Sequence, residues 1–197
     1  MRFIAKEMAW VSGWASDISI WENEIYERFP GYSHRFIDYF DLVEADFNIE
    51  IPESEIVVGW SLGTLALLKN LDKKIKEQKW ILVCPIIDFC ACWRPAVVRA
   101  TTLESFGKLL GDVDGKEKWM ENALRYLPEQ LNAGLEFLVQ TKVDLNVSHE
   151  NVEFIFGTHD KIIPLQQCEG TVCENLGHWL PDYIRTAPWS ALVASDA

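Results

Sequence analysis

Positive charge is scarce in this sequence. Eighteen lysines and arginines stand against thirty aspartates and glutamates, for a net charge of −12. Such an acidic excess argues against a general nucleic-acid binder, which needs a basic face to neutralise phosphates. Long apolar runs are missing as well: no stretch approaches the roughly 20 residues that span a bilayer. The opening MRFIAKEMAWVSGW places Lys6 and Glu7 where a secretion signal needs an unbroken apolar segment. These absences predict a soluble, cytoplasmic protein with no membrane partner. The five cysteines (Cys84, Cys90, Cys92, Cys168 and Cys173) are odd in number and hold no C-x-x-C pair. Reduced thiols are expected, with no disulfide framework and no metal site.

The 197 residues are 49% hydrophobic, enough for one domain, residues 1–197, around a real core. FIAKEMAWV reads as a strand that ends at Ser12-Gly13-Trp14. SDISIWENEIYERF carries Ile18, Trp21, Ile25 and Phe29 at helical spacing and stops at Pro30-Gly31. HRFIDYFDL reads as the next strand, EIVVGW as a third followed by the helix SLGTLALLKNL, and KWILVCP as a fourth. Between about residues 85 and 151 the rhythm changes. AVVRATTLESFGKLL, KEKWMENALRYL and PEQLNAGLEFLVQ are helical patterns with no clear strand between them. NVEFIFGTHD and TVCENLGHW then read as two more strands. Strands alternating with helices predict an α/β fold with a mostly parallel central sheet flanked by helices. The helical block predicts a lid over one end of the sheet.

Chemistry in such sheets gathers beyond the carboxyl ends of the strands. Three polar residues fall there: Ser61 after EIVVGW, Asp160 after VEFIFGTH, and His178 after TVCENLG. Each type has a task. A serine hydroxyl is a poor nucleophile until a base takes its proton. Histidine titrates near neutrality and can pass that proton to a leaving group. A buried carboxylate fixes the tautomer of the histidine. Ser61 lies within Gly59-Trp60-Ser61-Leu62-Gly63, whose glycines let a strand turn sharply into a helix. The first N–H of that helix, on Leu62, is a natural donor to an oxyanion, and the Trp14 N–H in the loop VSGWAS is the expected second donor. His159 adjoins Asp160, and His34 and His149 fall where strands should begin, so all three read as structural. Nine tryptophans are present, with Trp14, Trp60, Trp93 and Trp179 beside the candidate site or the start of the lid. They serve either core packing or an aromatic pocket for an apolar acyl chain.

The motifs VSGWASDISIW, VVGWSLGTLALL, FIFGTHDKIIP and LGHW resemble the α/β-hydrolase superfamily. In particular they resemble the pimeloyl-acyl-carrier-protein methyl ester esterases of biotin synthesis, and CWRPAVVRATTLESF extends the likeness into the lid. The resemblance implies a serine esterase without cofactor or metal, with Ser61 as nucleophile, Asp160 as acid, His178 as base, and Trp14 and Leu62 as oxyanion donors. It implies substrate contact for Trp60. The implied substrate is pimeloyl-acyl-carrier-protein methyl ester. A thioesterase or small-ester carboxylesterase, or a binding module without catalysis, are the alternatives. Ser12 stands where that family carries histidine, and FIDYFDL lacks its D-x-P-G-x-G loop. The short chain is expected to leave little room for the leading antiparallel strands of the full fold. Arg94, Arg99, Lys108, Lys116, Lys118 and Arg125 lie in the lid among Glu104, Asp112, Asp114, Glu117 and Glu121. They form either a basic patch that steers an acidic carrier or a solvated face of mixed charge.

Overall fold

A computed structural model describes residues 6–145, 150–164 and 166–193. Its core is one six-stranded sheet in which every pairing is parallel: β1 (Glu7–Val11), β2 (Ser33–Ile37), β3 (Ile56–Trp60), β4 (Lys79–Val83), β5 (Val152–Gly157) and β6 (Thr171–Cys173). The spatial order is β2-β1-β3-β4-β5-β6. The central strands EMAWV, IVVGW and KWILV are continuous apolar runs because helices cover both faces of the sheet. The edge strands β2 and β6 contain no fully buried residue.

After β1 the chain moves outward through α1 (Glu22–Arg28) to β2. It then returns through α2 (Tyr39–Glu44) to the other side of β1, forming β3. Consecutive crossovers therefore leave in opposite directions at the β1–β3 pair, where Val11 lies opposite Gly59. The loops after β1 and β3 diverge there and leave a crevice, the usual place for a ligand in an open α/β sheet. From β3 the chain runs through α3 (Leu62–Lys69) to β4.

Among the described residues four α-helices lie between β4 and β5: α4 (Pro95–Arg99), α5 (Leu103–Leu110), α6 (Lys116–Ala123) and α7 (Pro128–Gln140). They touch the loop after β1 at several points. The Trp119 indole donates to Ser16 Oγ at 2.8 Å, the Trp14 indole donates to the Leu131 carbonyl at 2.9 Å, and the Tyr126 hydroxyl meets the Asp17 carboxylate. The helices α8 (Leu180–Thr186) and α9 (Trp189–Leu192) close the described chain.

Two sequence expectations are corrected. HRFIDYFDL is a strand only through Ile37, and Tyr39–Glu44 is helical. Asp38 ends the strand: its carboxylate accepts from the Ser19 hydroxyl at 2.9 Å, and its N–H donates to Asp41 Oδ2 at 2.9 Å. AVVRATTLESFGKLL is two helices rather than one, because Thr102 caps a new start by accepting from the Ser105 N–H at 3.1 Å.

Candidate active site

The turn at Ser61 is built by close approach. Ser61 adopts φ +54° and ψ −121°, a left-handed backbone rarely taken by a residue with a side chain and worth about 1–3 kcal/mol of strain. A Cβ on Gly63 would lie 2.4 Å from the Ser12 carbonyl oxygen and 2.5 Å from that of Val11. A Cβ on Gly59 would lie 2.7 Å from Leu67 Cδ1. The two glycines thus let α3 sit directly on β1 and β3. The strained serine is held by its neighbours. Its N–H donates to the Val83 carbonyl at 3.0 Å, and its own carbonyl accepts from the Thr64 hydroxyl at 2.6 Å. The Thr64 hydroxyl in turn accepts from the Ile86 N–H at 2.8 Å, tying the turn to the exit of β4. Sequence reasoning missed Thr64, although it is the one polar side chain in the run LGTLALL.

Ser61, His178 and Asp160 come together from three separate loops. His178 Nε2 lies 2.7 Å from Ser61 Oγ, and His178 Nδ1 lies 2.8 Å from Asp160 Oδ2. All three residues are buried. The second carboxylate oxygen, Asp160 Oδ1, accepts from the Ile162 and Ile163 N–H groups, each at 2.8 Å. Burial pushes the Asp160 carboxyl up, but the charge of His178, its hydrogen bond and these two backbone donors outweigh burial and hold it below its ordinary value. The main chain of His178 is fixed from three sides. The Trp60 indole donates to the His178 carbonyl at 2.9 Å, while the Tyr183 hydroxyl (2.7 Å) and the Cys84 thiol (3.8 Å) meet the carbonyl of Gly177. Trp60 therefore sits behind His178, packed 5.8 Å from Trp21 and 6.2 Å from Trp179, and is not among the residues that line the cavity.

Leu62 is the first residue of α3, so its N–H has no acceptor within the helix. Trp14 lies in the loop after β1. That loop is braced without a histidine: the Ser12 hydroxyl meets the Ser16 carbonyl, and the Ser16 hydroxyl donates to the Trp14 carbonyl at 3.1 Å. The other histidines stand apart from the group. His159 is exposed, and His34 lies in β2, where it accepts from the Trp10 indole at 3.2 Å. His149 falls outside the described residues. The five cysteines are free. Cys84 Sγ, a carboxylate oxygen of Asp160 and a ring nitrogen of His178 lie within 4.8 Å of one another. The carboxylate and imidazole of that group are already bonded to each other.

A cavity of about 60 Å³ opens beside Ser61. Its walls include Trp14, Trp93, Phe106, Leu135, Leu138 and Ile162. Of the nine tryptophans, Trp14 and Trp93 line this cavity and the other seven are buried in the core. Gln167 fixes the segment after β4 that brings Ile86 and Phe89 to the cavity wall. Its side chain accepts from the Ile87 and Asp88 N–H groups at 3.0 and 2.8 Å and donates to the Asp88 carbonyl at 2.9 Å. Gln167 was also missed, because nothing in its local sequence marks it.

Comparison with known proteins places the fold. No protein-family model matches the sequence, and no curated protein matches it. Solved structures do match. A hydrolase from Pseudomonas aeruginosa PA01 aligns over 94% of this chain and 86% of its own, with a TM-score of 0.61 and 12% identity. An alpha/beta hydrolase enzyme from a Medee basin deep-sea metagenome library aligns over 98% of this chain and 88% of its own, with a TM-score of 0.57 and 12% identity. A marine microorganism esterase aligns over 95% of this chain and 93% of its own, with a TM-score of 0.50 and 13% identity. The chain has the α/β-hydrolase fold. Among the described residues no helix is long and apolar enough to cross a membrane.

Proposed function

We propose that the protein is a serine hydrolase of carboxylic esters. The observation that carries this reading is the continuous chain from Ser61 Oγ to His178 Nε2 at 2.7 Å and from His178 Nδ1 to Asp160 Oδ2 at 2.8 Å. In the proposed reaction Ser61 Oγ attacks the ester carbonyl carbon while His178 Nε2 takes the hydroxyl proton. Asp160 holds Nδ1–H and stabilises the imidazolium that forms. The N–H groups of Leu62 and Trp14 receive the developing oxyanion. The carbonyl reforms, the alkoxide leaves with the proton from His178, and an acyl-Ser61 ester remains. Water, deprotonated by His178, then releases the acid and restores the serine. No step calls on a metal or cofactor.

Within this class the motif resemblance points to pimeloyl-acyl-carrier-protein methyl ester as substrate. A second reading, a hydrolase of small free esters, is favoured by the state of the lid cations. Arg99 pairs with Glu136 at 2.6 Å and Lys108 with Glu104 at 2.7 Å. Lys116 and Lys118 donate to the backbone carbonyls of Gly111 and Ile20. Of the six, Arg94 and Arg125 alone make no ion pair or side-chain hydrogen bond among the described residues, which leaves two cations rather than six to steer a carrier. The hydrolase reading is tested with a fluorophosphonate probe, which requires an activated serine. Labelling of the wild type, mapped to Ser61 and absent from Ser61→Ala, is the expected result. An unlabelled wild type would leave a binding module.

A further inference from the structure

The cavity beside Ser61 differs from an ordinary polar cleft in one respect: its polar side-chain hydrogens are already engaged. The Trp14 indole donates to Leu131 O at 2.9 Å, and the Trp93 indole donates to Ile162 O at 2.7 Å. The Thr101 hydroxyl donates to Val97 O at 3.2 Å. The remaining polar side chain is Ser61, engaged with His178. Among the described residues no charged side chain lines the space. An acyl group entering it therefore meets hydrocarbon and aromatic surface with no free side-chain donor. A carboxylate carried to the inner end of such a chain would lose its water and gain no partner, which is heavily unfavourable.

Size sets a second limit. One water-sized group needs about 10–15 Å³ by this measure, so a cavity of about 60 Å³ holds on the order of five. The wall does not give way cheaply. Leu135 and Leu138 reach the cavity from α7, which is pinned to the body of the protein. The Tyr39 hydroxyl donates to Gln130 O at 2.6 Å, and Phe137 stacks on Phe47 with ring centroids 4.1 Å apart. At Gly134, on the same helix, even a methyl group would come within 2.3 Å of the Tyr39 hydroxyl and 2.6 Å of Trp14 Cδ1. Val97, half exposed, marks the mouth.

We infer that this cavity is an acyl-chain ruler: it selects esters of short, uncharged hydrocarbon acids, roughly four to six carbons long, over long-chain esters and over acyl groups that continue into a charged or carrier-bound end. The inference rests on the hydrolase reading of Ser61. It decides between the two substrate readings in favour of small free esters.

The test uses the full chain and a series of p-nitrophenyl esters from acetyl to dodecanoyl. It adds the mono-p-nitrophenyl ester of adipic acid, that ester with its free carboxylate capped as the methyl ester, and pimeloyl-acyl-carrier-protein methyl ester. The expected kcat/KM peaks at butyryl to hexanoyl and falls at least about tenfold by decanoyl. The free-carboxylate ester is expected to react about 100-fold more slowly than its capped counterpart, and the carrier-linked ester far more slowly than the butyryl ester. Leu138→Ala should move the peak to longer chains while the fluorophosphonate still labels Ser61. A flat chain-length profile, equal rates for the charged and capped adipyl esters, or preferred cleavage of the carrier-linked ester would overturn the ruler while leaving the hydrolase reading intact. Absence of both labelling and ester cleavage would overturn the two together.

Discussion

The elbow at Ser61 and the helical segment above it are specified in opposite ways. The elbow is fixed within six residues: Gly63 against the Val11 and Ser12 carbonyl oxygens, Gly59 against the Leu67 side chain, a left-handed serine, and the Thr64 hydroxyl that bonds the turn to the exit of the next strand. The segment from α4 to α7 is assembled from separate helices held by side-chain contacts between residues far apart in sequence, such as the Trp119 indole to Ser16 and the two-bond Arg99–Glu136 pair. A change in the first region alters whether the proposed reaction runs. A change in the second alters which molecule reaches the serine. The proposed chemistry and the proposed selectivity can therefore vary separately on this framework.

Three substitutions, two of them with a control, sharpen the contrast. The largest effect is expected at the base: His178→Ala should lower kcat for a butyryl ester by at least ~10³-fold with little change in fold, because the proton has nowhere to go. His159→Ala, on the exposed side of the acid loop, should leave turnover near wild type. If the two results were exchanged, the base would have to be reassigned. Next is Gly63→Ala. Its Cβ would press on the Val11 and Ser12 carbonyl oxygens, so unfolding in urea should show a loss of about 2–3 kcal/mol. A similar methyl at Gly31, where nothing lies within 4 Å, should be tolerated.

The smallest effect lies where the helical segment meets the loop after β1. Asp38, at the end of β2, is pushed from an ordinary 3.8 to about 6, first by burial and then by the nearby Asp17 carboxylate, which meets Tyr126 of the helical segment. A carboxyl that binds its proton more tightly when folded favours the fold at low pH. That contribution is present below the unfolded value and is lost as pH rises through about 6. The shift corresponds to roughly 3 kcal/mol, reduced to ~1–2 kcal/mol because part of the carboxylate remains open to water. Asp38→Asn should flatten the dependence of stability on pH between about 4 and 7. An unchanged slope in pH-dependent urea unfolding would place the coupling elsewhere.

Much of the framework is legible in the chain. Three apolar runs mark the doubly covered strands, and the order Ser61, Asp160, His178, each just beyond a strand, marks the candidate group in the sequence. The errors have physical causes. FIDYFDL satisfies both a period of two and a helical period, because Tyr39 and Leu42 are buried three residues apart while Phe40 is half exposed. Only the Asp38 contacts decide between the two. The helix break before Thr102 depends on a side chain choosing the backbone of its own neighbour, which composition does not reveal. The resemblance places Trp60 at the substrate, whereas its indole reaches across 118 residues of sequence to the His178 carbonyl. Such bonds between distant loops leave no local pattern, and neither does the engagement of the Trp14 and Trp93 indoles that leaves the cavity apolar.

The left-handed serine has a consequence for descent. A residue without a Cβ would rest at φ +54° with little strain, so replacing Ser61 by glycine relieves that strain while removing the proposed nucleophile. If selection for the reaction were relaxed, mutation would tend toward a more stable, inert protein at this position. A serine kept at so uncomfortable a dihedral is therefore what continued selection for a reactive hydroxyl would leave behind.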